Sequence, residues 1–236
     1  DVITYEFENI PYETLNEMNK LKSVLPKPSV NRLIQHRIAE KDFINKLNIR
    51  TTRYVSIEKK TDIETLSDFL PGILKTTTMG YDGKGQYPLK KMEDINSLNI
   101  DFSKEYVLEK LVKLKKEISV IITRFGINKF EIYEPIENTH QDQILKQSMI
   151  PAEVSKQIAD QSKDWATRIA EELKYIGTLC VEFFVDRNKK GSLDPSRFHI
   201  NSGKHGVNVV EFKKVSAKKP DFPIIASFPN DSQIKP

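Results

Sequence analysis

The sequence predicts an α+β fold, and three observations support this prediction. Strand-like and helix-like segments follow one another in the order strand, helix, strand, hairpin over residues 53–90. A glycine-rich turn separates an apolar run at residues 72–77 from a strand-like run at residues 86–90. A long amphipathic stretch precedes the apolar segment 177–185. A chain of 236 residues, 38% of them hydrophobic, is long enough to bury a core in one large domain or two small ones.

Composition argues against several classes of protein. The net charge is +4, but the 37 basic and 33 acidic residues are interspersed, which is not typical of a nucleic-acid-binding surface. The sequence has no apolar run of about 18 residues and no signal-peptide pattern, so we predict neither a membrane partner nor export. The single cysteine, Cys180, allows no internal disulfide and no cysteine pair for a metal. We therefore expect a cytoplasmic protein that binds no nucleic acid.

The first fifty residues predict one strand followed by short helices. Residues 2–8 alternate as a strand, and residues 13–21 place their apolar side chains on one side of a helix. Ser29 is expected to cap the next helical stretch, after a linker that contains two prolines. A further helical stretch places Arg37 and Lys41 one turn apart on one face. Their spacing alone favours solvated surface cations.

The glycine-rich turn is the strongest local signal. The segments that lead to it are a strand at residues 53–58, a helix at residues 62–70 and a strand at residues 72–77. Gly80, Gly83 and Gly85 lie within six positions, where backbone N–H groups can face an anion, and Lys75 and Lys84 add cations. The spacing matches neither G-x-x-x-x-G-K-S/T nor G-x-G-x-x-G, and a strand follows instead of a helix. The turn is therefore either a hairpin tip that folds over a phosphate chain or a mobile surface turn.

The middle of the chain predicts an antiparallel meander followed by a loop. The three strands of the meander are expected at residues 106–112, 117–124 and 129–134. Glu109 and Glu117 could accept hydrogen bonds from a nucleotide, with backbone at residues 110–112 beside the base, or they could be the polar half of an alternating strand. Residues 134–148 predict a polar loop, in which a lone His140 is usually an exposed side chain.

A helix and a strand complete the predicted core. The helix is expected to start at Pro151, and its apolar residues recur at helical spacing; they are Val154, Ile158, Trp165, Ile169 and Leu173. The strand at residues 177–185 is apolar except for Glu182. If the strand is buried on both faces, Glu182 requires a partner such as a bound cation. If the strand lies at a sheet edge, Glu182 points to water. Cys180 is expected to belong to the core.

Taken together, these segments resemble the ATP-grasp enzymes, and within them the 5-(carboxyamino)imidazole ribonucleotide synthases of purine biosynthesis. The matching segments are residues 1–11 (DVITYEFENIP), 80–86 (GYDGKGQ), 138–140 (NTH), 151–152 (PA) and 177–185 (GTLCVEFFV). They occur in the family's order and cover the chain to about residue 186. The glycine-rich string GYDGKGQ is specific to this branch of the family.

The resemblance implies a fold and domain boundaries. Two α+β subdomains would grip ATP, preceded by the end of a Rossmann-like domain. Residues 1–28 would be a remnant of that amino-terminal domain and a linker, residues 29–205 the ATP-grasp domain, and residues 206–236 a divergent tail. Since the chain begins inside an apolar run, we expect a fragment. The family's usual assembly, a homodimer, is the expected oligomer.

The resemblance also implies roles for individual residues. The residues expected to bind ATP are Arg37, Lys75, Gly80, Tyr81, Asp82, Gly83, Lys84, Gly85, Gln86, Glu109, Lys110, Leu111, Val112, Glu117 and His140. The residues expected to contact aminoimidazole ribonucleotide are Tyr81, Asp82, Lys84, Arg197 and His199. Glu182, with Asp194 as the second carboxylate, would bind Mg²⁺ or alternatively Mn²⁺. No covalent nucleophile is implied.

The implied reaction is the ATP-dependent carboxylation of 5-aminoimidazole ribonucleotide with bicarbonate, through carboxyphosphate. The sequence departs from the family at Thr77 and Met79, where Arg and Gly are usual. It departs again after residue 185, where Arg197 and His199 echo the family's pattern but no Asn-Glu pair precedes them, and the carboxylate nearest to them is Asp194. We therefore expect weak or no activity for the isolated chain. The alternatives are another ATP-grasp carboxylase or ligase, a non-catalytic nucleotide-binding remnant, and, third, a basic nucleic-acid-binding module.

Overall fold

The computed structural model describes residues 2–5, 7–79, 85–141 and 144–186 of the chain, together with the backbone of residues 193–200 and 224–227. The α-helices are α1 (Tyr12–Leu21), α2 (Pro28–Ile34), α3 (Arg37–Lys46), α4 (Lys60–Glu64) and α5 (Lys156–Glu172). The strands are β1 (Ile3–Thr4), β2 (Val24–Leu25), β3 (Tyr54–Ile57), β4 (Gly72–Thr76), β5 (Gln86–Leu89), β6 (Tyr106–Lys110), β7 (Leu114–Gly126), β8 (Lys129–Ile132), β9 (Ile136–Gln141), β10 (Ile144–Ile150), β11 (Gly177–Asp186), β12 (Leu193–Ile200) and β13 (Ile224–Ser227). Short 3₁₀ helices lie at Ser67–Phe69 and Met92–Ile95.

The smaller sheet is antiparallel and has the strand order β3-β6-β4-β5. Strands β4 and β5 form the predicted hairpin, since Lys75 pairs with Gln86 and the amide of Thr76 donates to Gly85 O over 2.9 Å. One face of the sheet covers its own hydrophobic core, made of Ile57, Ile63, Phe69, Leu74, Leu89, Ile95, Tyr106 and Leu108. This sheet therefore holds both strands that flank the glycine-rich turn.

The larger sheet has the order β12-β11-β7-β9-β10-β13, with β8 also paired to β7. Along β11, buried residues alternate with half-buried ones, so one face is covered and the other is more open. The covered face packs on α5 and on residues of α2 and α3; this core includes Val30, Ile34, Ile44, Ile118, Val120, Ile158, Ile169, Leu179, Val181 and Phe183. Glu117, Ser119 and Glu182 lie on the more open face, because β7 and β11 pair Ser119 with Glu182.

Helix α3 joins the two sheets. Its apolar residue Ile44 belongs to the core of the larger sheet. At its first residue, the Arg37 amide donates to Thr77 O over 2.9 Å, and Arg37 Nε donates to Thr76 O over 3.0 Å. Thr76 is the last residue of β4 and Thr77 follows it, so the start of α3 is fixed against the base of the glycine-rich hairpin.

Several predicted elements differ from the observed ones. The meander prediction is wrong, because β6 belongs to the smaller sheet while β7 and β8 belong to the larger one. The predicted polar loop at residues 134–148 is instead the hairpin of β9 and β10. The first strand is limited to Ile3–Thr4, and the predicted helix at residues 62–70 divides into α4 and a 3₁₀ turn.

The starts of α2 and α5 also differ from the predicted ones. Helix α2 begins at Pro28, one residue before the predicted cap Ser29, and proline suits the first turn because its missing N–H would have no partner there. Helix α5 begins after Ser155, whose side chain accepts from the amide of Ile158 over 3.3 Å. Its start at Pro151 was therefore predicted too early. No helix in the described part of the chain is long and apolar enough to cross a bilayer.

Replacing Gly72 by alanine is expected to lower the free energy of unfolding by about 2 kcal/mol. An added Cβ would lie 2.7 Å from Phe69 O and 2.9 Å from Glu109 O, and both atoms belong to the backbone. The strands that carry Lys75 and Glu109 would therefore have to move apart. Urea denaturation measures the change, with Gly126→Ala as the control, because the nearest atom there is the flexible Lys129 Cδ at 3.3 Å. Equal stability of the two variants would contradict this account.

Candidate functional site

Three basic side chains surround one buried carboxylate at the junction of α3 and the smaller sheet. Lys75 Nζ on β4 donates to Glu109 Oε2 on β6 over 2.8 Å. Lys41 Nζ on α3 lies 3.4 Å from the other oxygen, Glu109 Oε1. Side-chain exposure is 4% for Lys41, 8% for Glu109 and 14% for Lys75. Arg37, one turn before Lys41, is buried as well. We call Arg37, Lys41, Lys75 and Glu109 the cationic cluster.

The cationic cluster carries more positive than negative charge. Burial acts to raise the pKa of Glu109, but Lys41 and Lys75 outweigh this effect and lower that pKa to about 2. The pKa of Lys75 is lowered, first because burial removes water from its ammonium and also because Arg37 and Lys41 repel it, against the attraction of Glu109. The formal charges of these four side chains sum to +2, and this excess of positive charge favours an anion such as phosphate nearby.

A second contact fixes the cluster to the glycine-rich hairpin. His36 precedes α3, and its Nδ1 accepts from the amide of Ala39 over 3.4 Å. Its Nε2 lies 2.8 Å from Glu105 Oε2, to which Thr77 Oγ1 also donates over 3.1 Å. The start of α3 and the end of β4 thus share one carboxylate acceptor.

Polar side chains form a second cluster on the more open face of the larger sheet. His140 Nδ1 on β9 lies 2.6 Å from Glu117 Oε2 on β7. Asn138 Nδ2 donates to Ser119 Oγ over 3.0 Å, and Ser119 pairs across the strands with Glu182 on β11. The pKa of His140 is raised, first by its hydrogen bond to Glu117 and further by the charges of Glu117 and Glu182. We call Glu117, His140 and Glu182 the carboxylate-histidine cluster.

The pKa of His140 predicts a pH-dependent contribution to stability. Because the folded-state pKa lies above the ordinary value of 6.5, the ion pair with Glu117 stabilises fully below 6.5. This contribution is lost as pH rises through the folded-state pKa. We expect the thermal midpoint of the unaltered protein to exceed that of His140→Gln at pH 5.5, with the gap narrowing at alkaline pH. A gap that widens as pH rises would contradict the assignment.

The residues present fit a magnesium ion that is shared with phosphate groups. Among the described residues, no group of three His, Cys, Asp or Glu side chains could hold a metal alone. Mg²⁺ usually takes one or two protein carboxylates and completes its octahedron with phosphate oxygens and water. Glu182 is half-buried on β11, which lies between β7 and β12 and not at an edge. The structure therefore matches neither alternative for this strand: β11 is not at a sheet edge, but only one of its two faces is fully covered.

The structure describes the remaining predicted site residues unevenly. Gly80, Tyr81, Asp82, Gly83 and Lys84 lie outside the described residues. Asp194, Arg197 and His199 are described by backbone alone, and their Cα atoms pair with those of Phe184, Glu182 and Cys180.

At the hairpin, Gly85 has φ +70°, and an added Cβ would lie 2.7 Å from Thr76 Oγ1, so this position favours glycine. Gln86 begins β5. Two of the three N–H groups of residues 110–112 are bonded within the protein. The amide of Lys110 donates to Arg53 O and that of Leu111 to Pro71 O, over 2.9 Å each. A base beside this segment would therefore meet Val112 or carbonyl oxygens.

The spacing of Arg37 and Lys41 predicts surface cations, and this prediction is wrong. Both side chains are buried, because the face of α3 that carries them packs against β6 and the base of the hairpin. The His36 and Glu105 contact was also missed, since the two residues are 69 positions apart. The signal in the sequence is the position of this basic pair on a helix that also carries the apolar residues Ile38, Phe43 and Ile44.

Comparison with known proteins identifies one protein family and relatives that share one name. The model of the ATP-grasp domain matches residues 42–212. The chain is 36% identical over 206 residues to an N5-carboxyaminoimidazole ribonucleotide synthase of Brucella melitensis, covering 84% of this chain and 56% of that protein. It is 32% identical over 220 residues to the synthase of Staphylococcus aureus, covering 91% of this chain and 58% of that protein.

The fold agrees with these matches. The crystal structure of the Staphylococcus aureus synthetase with ADP superposes with a TM-score of 0.78 at 32% identity, covering 88% of this chain and 56% of that one. The chain therefore spans a little over half the length of these three proteins.

Proposed function

This chain belongs to the ATP-grasp family, and we propose that it carries out the ATP-dependent carboxylation of 5-aminoimidazole ribonucleotide with bicarbonate. The observation that carries the proposal is the cationic cluster, with its formal charge of +2, at the base of the glycine-rich hairpin. The synthase names of the relatives support the choice of reaction. Because this chain covers only 56% and 58% of those two relatives, its substrates and its oligomeric state are part of the proposal.

The cationic cluster would hold the triphosphate. Arg37 and Lys75 would donate to phosphate oxygens, while Glu109 holds the Lys75 ammonium in place. Residues 80–86 would close over the phosphates, and residues 110–112 would lie along the adenine. Fixed cations in a site with little water stabilise the charge that moves between phosphoryl oxygens during transfer.

The carboxylate-histidine cluster would face the nucleotide from the larger sheet. Glu117 would accept hydrogen bonds from the ribose hydroxyls, and His140, which pairs with Glu117, would keep that carboxylate in place. Glu182 would hold Mg²⁺, which would supply positive charge close to the phosphate groups and so favour phosphoryl transfer. Asp194 is proposed as the second carboxylate, with Arg197, His199 and the hairpin residues Tyr81, Asp82 and Lys84 at the ribonucleotide.

The proposed chemistry consists of two transfers. An oxygen of bicarbonate attacks the γ-phosphorus, the bond to the β,γ-bridging oxygen breaks, and ADP leaves. The exocyclic nitrogen of the ribonucleotide then bonds to the carboxyl carbon of carboxyphosphate, or to the CO₂ it releases, while phosphate departs and the amine loses a proton. No protein nucleophile takes part: burial raises the pKa of the Cys180 thiol to about 12, which keeps it protonated.

The assay for this proposal is Mg²⁺-dependent phosphate release from ATP with bicarbonate, with and without aminoimidazole ribonucleotide. Stimulation by the ribonucleotide is the expected result, and ATP hydrolysis that ignores it would favour another ATP-grasp ligase. A cytoplasmic location and a homodimer are proposed with the enzyme; sedimentation of the purified chain tests the dimer.

A second candidate is a nucleotide-binding remnant without catalysis. The sequence after residue 185 favours it, because no Asn-Glu pair precedes Arg197 and His199, and the carboxylate nearest to them is Asp194. This departure predicts slow turnover even if the enzyme is active. ATP binding without phosphate release, at any concentration of ribonucleotide, would establish the remnant.

A further inference from the structure

Lys41 is the member of the cationic cluster to which no role has been given. It lies on α3, one turn after Arg37, and its side chain is 4% exposed. Its Nζ donates no hydrogen bond to any described residue, although it is buried. The ring of Tyr54, with its centroid 5.5 Å from Nζ, covers another side of the ammonium. A buried ammonium is costly unless its charge is used, so Lys41 requires an explanation.

The geometry of Glu109 provides that explanation. Its two oxygens face different ammonium groups: Oε2 accepts from Lys75 over 2.8 Å, and Oε1 lies 3.4 Å from Lys41. A lone Lys75 could draw both oxygens to itself, which would neutralise its charge more completely. With Lys41 present, Lys75 uses one of its three N–H donors on Glu109 and keeps two for an anion.

We propose that Lys41 is a positioning residue for nucleotide phosphates, which acts by holding Oε1 of Glu109 away from Lys75. The inference rests on the proposed nucleotide site but not on carboxylation. It predicts that Lys41 raises the affinity of the chain for ligands that carry phosphate groups and not for ligands without them. Binding of the base and the ribose should not depend on Lys41, since the roles proposed for the cationic cluster are all at the phosphates.

The test is equilibrium binding of ATP and of adenosine to the full chain, without turnover. Lys41→Met keeps the length of the side chain and leaves Glu109 paired with Lys75. We expect ATP to bind roughly tenfold more weakly, as for the loss of one charge-assisted interaction, and adenosine affinity to change less than about twofold. Lys46→Met is the matched control, because Lys46 is an exposed residue of the same helix.

A double variant separates positioning from a direct effect of charge. In a Glu109→Gln background, Lys41→Met is expected to change ATP affinity less than about twofold, because the carboxylate through which Lys41 acts is gone. An undiminished tenfold loss in that background would overturn the positioning role, and so would equal losses for ATP and adenosine. If Lys41→Met does not fold, as judged by circular dichroism, Lys41→Gln replaces it.

The outcomes for the inference and for the proposed function differ. ATP binding that depends on Lys41, together with no response of phosphate release to aminoimidazole ribonucleotide, would support the inference and reject the carboxylation. Unaltered ATP affinity in Lys41→Met, with ribonucleotide-stimulated release intact, would reject the inference alone. No ATP binding by the unaltered chain would overturn both.

Discussion

Replacing Lys75 by methionine is expected to weaken ATP binding by about 100-fold, a loss typical of removing one partner from a buried, hydrogen-bonded charge site. Lys75 is the cation of the cluster that lies on the hairpin strand itself, ten residues before the end of the glycine-rich turn. Its ammonium is held over 2.8 Å by Glu109, so it reaches a phosphate without losing much further freedom. Methionine removes the charge and the donors but keeps the volume.

The fold is expected to survive this change, because Glu109 retains Lys41 as an ion-pair partner. Isothermal titration with ATP measures the loss of affinity, and adenosine provides the ligand without phosphates. Lys90→Met is the matched control, since Lys90 follows β5 of the same hairpin and is exposed. If Lys75→Met and Lys90→Met bound ATP equally well, the cationic cluster would not be the phosphate site.

The second large effect is expected for Glu182→Gln, which should reduce Mg²⁺-dependent phosphate release by about 1,000-fold. Glutamine keeps the shape and polarity of the side chain but is a much poorer ligand for a hard cation. Glu182 lies on an interior strand between β7 and β12, so its position is fixed by pairing on both sides. ATP binding without Mg²⁺ should change by less than about threefold, because the cationic cluster lies on α3 and the smaller sheet and does not include Glu182.

A magnesium titration of phosphate release measures this effect. Glu131→Gln is the control, because Glu131 is an exposed carboxylate of β8 in the same sheet. An unchanged magnesium dependence in Glu182→Gln would assign Glu182 a structural role and would move the metal to residues beyond the described part of the site.

The hairpin of β4 and β5 and the buried face of α5 are both predictable from the sequence alone. Glycines at close spacing between two strand-like runs predicted β4 and β5, and the pairing of Lys75 with Gln86 confirms the hairpin. The apolar residues of α5 predicted its buried face, since Ile158 and Ile169 lie in the core of the larger sheet. Both signals are local, because turn chemistry and helical periodicity act over a few residues.

The errors concern contacts between residues that are distant in the chain. Strand β6 is followed after three residues by β7, yet the two strands belong to different sheets, and no local pattern indicates such a change of partner. Strands β9 and β10 were missed because Asn138 and His140 lie on the more open face, where polar residues are tolerated in a strand. The burial of Lys41 is not predictable from its spacing, because it depends on which distant strands pack against α3.

The measurement that tests the account most directly is the fate of the oxygen atoms of bicarbonate. ATP, Mg²⁺, aminoimidazole ribonucleotide and oxygen-18-labelled bicarbonate are incubated with the chain, and the released phosphate is analysed by mass spectrometry. The proposed carboxylation predicts one labelled oxygen in each phosphate, because the bicarbonate oxygen that attacks the γ-phosphorus stays bound to it. Unlabelled phosphate would mean that water attacks ATP, and would contradict the proposed carboxylation.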